Sequence, residues 1–244
     1  MARGTDEVPA ATVAAVRSLT ARRVRREPMA YILGEREFWG LPFKVTPAVL
    51  VPRPDSETVI EAVLALMPDR ERRWRILDLG LGSGCLLLTL LREYPRAQGT
   101  GFDASPEALT VAQENAQVLG VADRARLLAG DWRKPGWESS LAGPFDLVVS
   151  NPPYIQSAAI DRLMPEVSAF EPRLALDGGV DGLDAYRVIA GACPKLITPG
   201  GHLVVEIGEG QATEITGILG SAGLTLLGRS KDLGGIDRVM AARN

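Results

Sequence analysis

The chain is poor in the residues that hydrolytic and metal-dependent chemistries draw on most. Its 244 residues include one histidine and two cysteines, His202, Cys85 and Cys193. That set is too small for a His/Cys zinc site and leaves a single candidate for any histidine-based triad. Two unclustered cysteines also build no disulfide framework. No apolar run reaches the roughly 18 residues of a membrane span, and the N-terminal MARGTDEVPA lacks the apolar stretch of a secretory signal. A cytoplasmic protein with no membrane partner is therefore expected. Positive charge is not in excess either: 27 basic and 30 acidic side chains give −3. Residues 1–75 hold 13 basic and 10 acidic groups and residues 76–244 hold 14 and 20. Neither part has the electrostatics of a nucleic-acid-coating surface, so no stable nucleic-acid binding is expected.

What is there is ordinary soluble-domain material, 46% apolar and 23% charged, enough to bury a real core. At roughly 150 residues per domain the length suggests one large domain with a small appendage. No repeat or low-complexity tract is visible. Residues 10–26 carry Val13, Val16, Leu19 and Val24 at helical intervals among arginines, which predicts an amphipathic helix. Its face of Arg17, Arg22, Arg23, Arg25 and Arg26 is either solvated or turned to an acidic or RNA-bearing partner. EFWGLPFKVTPAVL predicts a hairpin about a Gly-Leu-Pro turn, and PRPDSETVIEAVLALM a helix with Val59, Ile60, Val63, Leu64 and Met67 on one face. The boundary is expected near residues 68–74, giving an N-terminal extension of helix, hairpin and linking helix over 1–72 and a main domain over 73–244.

Beyond it, candidate strands at 75–80, 99–104, 125–130, 145–151, 201–208, 224–230 and 237–243 alternate, over the first five, with helical patterns. SPEALTVAQENAQVLG is one such pattern, opened by Ser105, Pro106 and Glu107. Strand-helix-strand alternation predicts an α/β fold: a doubly wound, seven-stranded, mostly parallel Rossmann-like sheet that binds ligands at the carboxyl ends of its strands.

The first strand runs into Gly80-Leu81-Gly82-Ser83-Gly84, followed by an apolar helix. Glycines permit a sharp turn and close approach to a ligand, and the helix N-terminus offers free N–H groups. Alone, GxGxG is a weak signal. A dinucleotide fingerprint needs GxGxxG, and Cys85 stands where its third glycine belongs. That argues against a pyrophosphate. Asp103, about 20 residues beyond the loop, suits both hydroxyls of a ribose. After the third strand, Trp132 suits an adenine face or ordinary packing, and Asp131 either an exocyclic amine or the fixing of the loop. An adenosine ligand without pyrophosphate fits this set, with S-adenosylmethionine the leading candidate.

The fourth strand delivers Asn151-Pro152-Pro153-Tyr154. The prolines fix an extended chain without N–H groups and leave the Pro152 carbonyl free to accept. With the Asn151 side-chain carbonyl it can grip both hydrogens of a planar –NH₂ group, while Tyr154 covers one face and Pro153 stiffens the turn. Such a grip suits methylation of an amide or aromatic amine.

These segments resemble the HemK/PrmC family, the glutamine N5-methyltransferases of peptide chain release factors. The resemblance runs from Glu27 nearly to the C-terminus, through EPMAYILGEREFWGLPF, VLVPRPDSE, ILDLGLGSGC, DASPEAL, DLVVSNPPYI, FEPRLALDGGVDGLDAYR, LVVEIGEGQ and KDLGGIDRV. GxGxG and NPPY also occur in adenine methyltransferases of DNA and RNA, whereas PRPDSE and FEPRLALDGG are far more specific. The resemblance implies a class I S-adenosylmethionine-dependent methyltransferase in which residues 80–84, Asp103, Trp132 and Asn151 surround the cofactor. It also implies that Asn151 to Tyr154 receive the glutamine of the Gly-Gly-Gln motif of class I release factors. A monomer is expected. Two features depart from the family: Leu81 stands where Thr is usual, and only about 26 residues precede Glu27-Pro28, where a larger helical domain is usual.

The reaction this implies is in-line methyl transfer positioned by Asn151, Pro152 and Tyr154. His202 falls in a predicted core strand, so no general base is expected at the reacting nitrogen, and no ascending pH limb near the ordinary histidine pKa of about 6.5. Glu171, Arg173, Asp181 and Asp184, around the hairpin-like GGVDG, are turn formers or part of an active-site rim. The rival readings are an adenine-N6 methyltransferase of DNA or RNA, a glutamine methyltransferase acting on a ribosomal protein, and a non-catalytic adenosine-binding module.

Overall fold

The computed structural model describes residues 8–244. Helix α1 (Ala10–Val24) is followed by a one-turn helix α2 (Met29–Leu33) and the hairpin β1 (Glu35–Phe38) and β2 (Leu41–Lys44). The hairpin turn is not Gly-Leu-Pro. It is Trp39-Gly40, both with positive φ (54° and 69°), the backbone of a two-residue turn that follows the twist of its strands. Leu41 and Pro42 belong to β2. Trp39 is held there because its backbone N–H donates to Glu57 and its indole N–H to Glu93, each at 2.8 Å.

Helix α3 (Glu57–Leu66) leads into a sheet built from β3 (Arg75–Leu79), β4 (Gln98–Asp103), β5 (Ala125–Ala129), β6 (Phe145–Ser150), β7 (Ile197–Glu206), β8 (Thr225–Lys231) and β9 (Asp237–Arg243). Their spatial order is β5-β4-β3-β6-β7-β9-β8. The pairs from β5 to β7 are parallel, and β9 runs antiparallel to both β7 and β8. The intervening helices are α4 (Cys85–Glu93), α5 (Pro106–Val118), the single turn α6 (Pro165–Ser168), α7 (Asp184–Leu196) and α8 (Ala212–Ser221). The expected seven-stranded doubly wound sheet is present. Among the described residues no helix is long and apolar enough to cross a membrane.

Period-two alternation explains the two layers. Ile76, Leu147, Val149 and Val204 face a cluster with Val59 and Val63 of α3 and Leu87, Leu88 and Leu91 of α4. Leu77, Val148, Leu203 and Val205 face the opposite cluster with Tyr186, Ile189 and Cys193 of α7 and Ile215 and Leu219 of α8. The strand order reverses between β3 and β6, and the crevice above that reversal is where open α/β sheets take ligands. His202 lies in β7 opposite Leu147 and Arg243, and burial holds its imidazole below the ordinary range.

Helix α1 forms as expected, but it buries no residue; Val16, Leu19 and Val24 remain exposed. Its arginines are partly engaged within the chain. Arg22 pairs with Glu27, and Arg23 and Arg26 converge on Glu166 at 2.9 and 2.7 Å. The GGVDG stretch is not a hairpin. It is a loop that turns into α7, with Asp181 paired to Arg187 at 2.5 Å, an ion pair that draws the Asp181 carboxyl down to about 2.

Candidate active site

A cavity of about 810 Å³ opens at the carboxyl ends of β3, β4, β5 and β6, well within the range of small-molecule sites. Gly80, Leu81, Gly82, Ser83, Asp103, Asp131, Trp132, Asn151 and Pro153 all line it. Three sequence-expected residues do not. Gly84 is turned into the protein, where an added Cβ would lie 2.8 Å from Leu88, so this glycine serves close packing of α4 rather than ligand contact. Pro152 is buried. Tyr154 lies on a second, adjoining cavity of about 750 Å³ that shares Asn151 and also includes Met29, Arg36 and Met164.

Local chemistry explains how the loop is held. Asp103, at the end of β4, accepts from the Gly82 N–H with one oxygen and from the Ser105 N–H with the other, both at 2.8 Å. Burial raises its pKa and these N–H groups oppose the rise. Ser105 in turn caps α5 by accepting from the Ala108 N–H at 3.0 Å. Asn115 of α5 donates to the Ser83 and Lys44 carbonyls, which ties the hairpin to the glycine loop. Asp131 spends both oxygens on Arg133, at 2.8 and 2.9 Å, and so fixes its own loop. Trp132 lies against Gly80, where a Cβ would come within 3.0 Å of the indole.

The polar lining is acidic. Asp78, Asp103, Glu107, Asp131, Asp177 and Asp184 face three arginines, Arg53, Arg133 and Arg173. With the buried Asp78 neutral, five acidic groups against three guanidiniums still suit a cationic ligand and oppose a pyrophosphate. Asp78 is fully buried. Desolvation lifts its carboxyl to about 8, against the Leu87 N–H that it accepts and with the added repulsion of Asp103. Among the described residues Asp78 Oδ1 and Ser83 Oγ have no hydrogen-bond partner within normal geometry, although both residues border the cavity. A Cβ on Gly82 would meet nothing nearer than the Gly80 carbonyl at 4.0 Å, so the space above the loop is left for a ligand.

At the far side of the cavity Asn151 Nδ2 donates to Ser56 Oγ at 3.3 Å, and Ser56 Oγ donates to Glu206 at 2.5 Å. Among the described residues nothing donates to Asn151 Oδ1 or to the Pro152 carbonyl; Asn151 lines the cavity, whereas Pro152 does not. The turn is anchored from behind by Gln211, which donates to the Tyr154 carbonyl at 3.0 Å, and by the Ile155 N–H bonded to the Leu176 carbonyl at 3.0 Å. Arg173, Asp177 and Asp184 form part of the cavity rim, whereas Glu171 is buried in an ion pair with Arg53 at 2.6 Å. Sequence reasoning missed Ser56, Asp78 and Glu206. The available signal was a lone acid inside an apolar strand, in RILDL for Asp78 and LVVE for Glu206, a placement too costly to be idle.

The chain is similar to known methyltransferases. Residues 56–168 match the family model "Methyltransferase small domain" and residues 1–34 match "PrmC N-terminal domain". A release factor glutamine methyltransferase of Rhodospirillum rubrum is 49% identical over 94% of this chain and 68% of its own length. One from Bradyrhizobium diazoefficiens is 49% identical over 91% of this chain and 74% of its own. Among solved structures, a release-factor-specific protein-(glutamine-N5) methyltransferase of Alicyclobacillus acidocaldarius superposes with a TM-score of 0.50 at 26% identity, over 83% of this chain and 99% of that one.

Proposed function

The chain belongs to the release factor glutamine methyltransferases, and from that premise we propose that it transfers a methyl group from S-adenosylmethionine to the side-chain amide nitrogen of the glutamine in the Gly-Gly-Gln motif of class I release factors. The observation that carries this reading is the pairing of an acidic, glycine-floored cavity with the unbonded Asn151 Oδ1 on its lining, next in the chain to a Pro152 carbonyl that also takes no hydrogen bond from the described residues.

The residues present fit the cofactor. The orphaned oxygens of Asp78 and Ser83 and the unfilled space over Gly82 supply unmet polar groups and room on one floor. Gly80, Leu81, Gly82, Ser83, Asp103 and Trp132 would hold it, with Asp131 acting through the loop it fixes. When bound, S-adenosylmethionine supplies a sulfonium-activated methyl group and a neutral thioether leaving group.

The chain's own contribution is position. Two acceptors take the two amide hydrogens, orient the nitrogen toward the cavity, and stabilise the positive charge that develops on it. Tyr154 is half-buried beside them and donates to Glu206 at 3.3 Å, which directs its ring rather than its hydroxyl at a planar group. No step requires a base at the nitrogen, since the proton can leave to water after transfer.

The test is incubation with labelled S-adenosylmethionine and, separately, a class I release factor, a ribosomal-protein fraction and duplex DNA. One methyl group on the Gly-Gly-Gln glutamine is the expected product. Label on another residue, or efficient labelling of adenine, would overturn the reading.

A further inference from the structure

Glu206 ends β7 beneath the Asn151 turn, 1% exposed. Its two oxygens each receive a hydroxyl: Ser56 donates to Oε2 at 2.5 Å and Tyr154 to Oε1 at 3.3 Å. Ser56 is itself 2% exposed and stands 150 positions away in sequence. One hydroxyl has one proton, so the Ser56 proton committed to Glu206 leaves only lone pairs on the side that meets Asn151. An asparagine facing lone pairs must present its –NH₂ there, and Nδ2 does so at 3.3 Å.

We propose that Glu206, acting through Ser56, is a positioning residue for Asn151: the carboxylate sets the direction of the hydrogen-bond chain and so makes Oδ1, not Nδ2, the atom that Asn151 offers to the substrate amide. The inference rests on the methyltransferase reading above. Were Asn151 turned over, its –NH₂ would oppose the –NH₂ of the glutamine, donor against donor, and the grip would be lost. Protonation of Glu206 produces that reversal. A carboxylic acid donates to Ser56 Oγ, frees the Ser56 proton to turn toward Asn151, and favours its carbonyl oxygen on that side.

The groups facing Glu206 determine where this happens. Desolvation is the largest influence and lifts the carboxyl to about 7; the Ser56 hydroxyl, the Arg238 guanidinium of β9 and the Tyr154 hydroxyl oppose it, while Asp55 adds to it. Tyr186 of α7 donates to the Glu206 backbone carbonyl at 2.9 Å, and Cys85 of α4 is held in its neutral thiol form by burial. Only the ionised carboxylate orders the chain correctly, so turnover rises as pH climbs through about 7 and then levels. This limb belongs to Glu206, and it replaces the flat profile expected from the sequence, where a histidine is the one base considered.

The experiment measures kcat, KM for release factor and Kd for S-adenosylmethionine from pH 5.5 to 9, together with Tm, for wild type, E206Q, S56A and S56T. E206Q should lose the ascending limb. S56A should lose about tenfold or more in kcat, the order expected of a misplaced reacting group, with cofactor Kd unchanged, and S56T, which keeps a hydroxyl, should recover it. A purely structural role would lower Tm and leave the limb in place. A limb of wild-type midpoint in E206Q, or wild-type kcat in S56A, overturns the proposal while the wild-type reaction keeps the functional reading standing. If E206Q does not fold, S56A and S56T decide the matter. Failure of wild type to label the release-factor glutamine overturns the reading itself.

Discussion

Replacing Asp103 with asparagine separates the two tasks that its position implies. The carboxylate accepts from the Gly82 and Ser105 N–H groups, one per oxygen, both at 2.8 Å. Asparagine has a single acceptor oxygen, so one of the two bonds is lost and the new –NH₂ confronts the donor left behind. A hydrogen bond to a charged group contributes about 1.5–3 kcal/mol, and the stranded donor borders an open cavity where water compensates in part. A loss of about 1–2 kcal/mol in stability follows, or a Tm lower by about 2–8 °C for a domain of this size. If the same carboxylate also receives ribose hydroxyls, cofactor Kd should weaken further, by about 5- to 150-fold for about 1–3 kcal/mol. Differential scanning fluorimetry gives the first quantity and calorimetric titration with S-adenosylmethionine the second. A lowered Tm with wild-type Kd would leave Asp103 as a loop clamp and remove it from the ribose role. No change in either would refute the whole argument.

Asn151→Ala should leave cofactor Kd nearly intact and lower kcat about 10²-fold or more, because the lost acceptor is aligned with the reacting nitrogen; equal losses in binding and rate, read from steady-state kinetics and titration, would place Asn151 on the cofactor side. In the substrate, changing the Gly-Gly-Gln glutamine to glutamate removes both amide hydrogens and sets a carboxylate against two acceptor oxygens, so transfer should vanish. Changing it to asparagine should cost about 10²-fold through displacement of the nitrogen by about 1 Å or more. Intact-mass spectrometry of the reacted release factor checks both, and methylation of the glutamate variant would refute the two-acceptor grip.

The parts legible in the sequence are those whose signal is local. Alternation of strand and helix repeats along the chain, the glycine loop with its displaced third glycine and the Asn-Pro-Pro-Tyr turn each lie within a few residues, and the structure brings that loop and Asn151 of that turn to one cavity. Two local signals misled. Gly-Leu-Pro carries strong turn residues, but the turn is set one step earlier by Trp39, whose positive φ is held by Glu57 and Glu93 from distant helices. Gly84 belongs to the motif, yet its freedom is used against Leu88. What stayed hidden depends on pairing across the chain: Ser56 with Glu206 over 150 positions, and Arg53 with Glu171 over 118. A serine near a helix start suggests a cap, and no pattern along the chain could point it at an acid in the fifth strand of the sheet.

Asp78 carries a consequence that joins the fold to the ligand. The N-terminus of α4 favours negative charge nearby, yet burial is strong enough to hold the Asp78 carboxyl at about 8, protonated at neutral pH. Its folded pKa lies above its ordinary value of 3.8, so its contribution to stability is complete below about pH 4 and is lost as pH rises through about 8. A cationic ligand in the cavity reverses that preference, because an opposite charge favours the ionised form. Binding of S-adenosylmethionine near pH 7 should then release a proton, up to one per site. Calorimetry in buffers of different ionisation enthalpy reads this as a slope of apparent binding enthalpy. Asp78→Asn keeps an acceptor for the Leu87 N–H but cannot ionise, so it should abolish the slope, weaken cofactor binding, and raise Tm above that of wild type at pH 9 while matching it at pH 4. Glu206 is a second carboxyl that burial lifts, to about 7, and E206Q should leave the slope in place. A slope of zero in wild type, or one that survives Asp78→Asn, would refute the argument that Asp78 ionises only when a cation arrives.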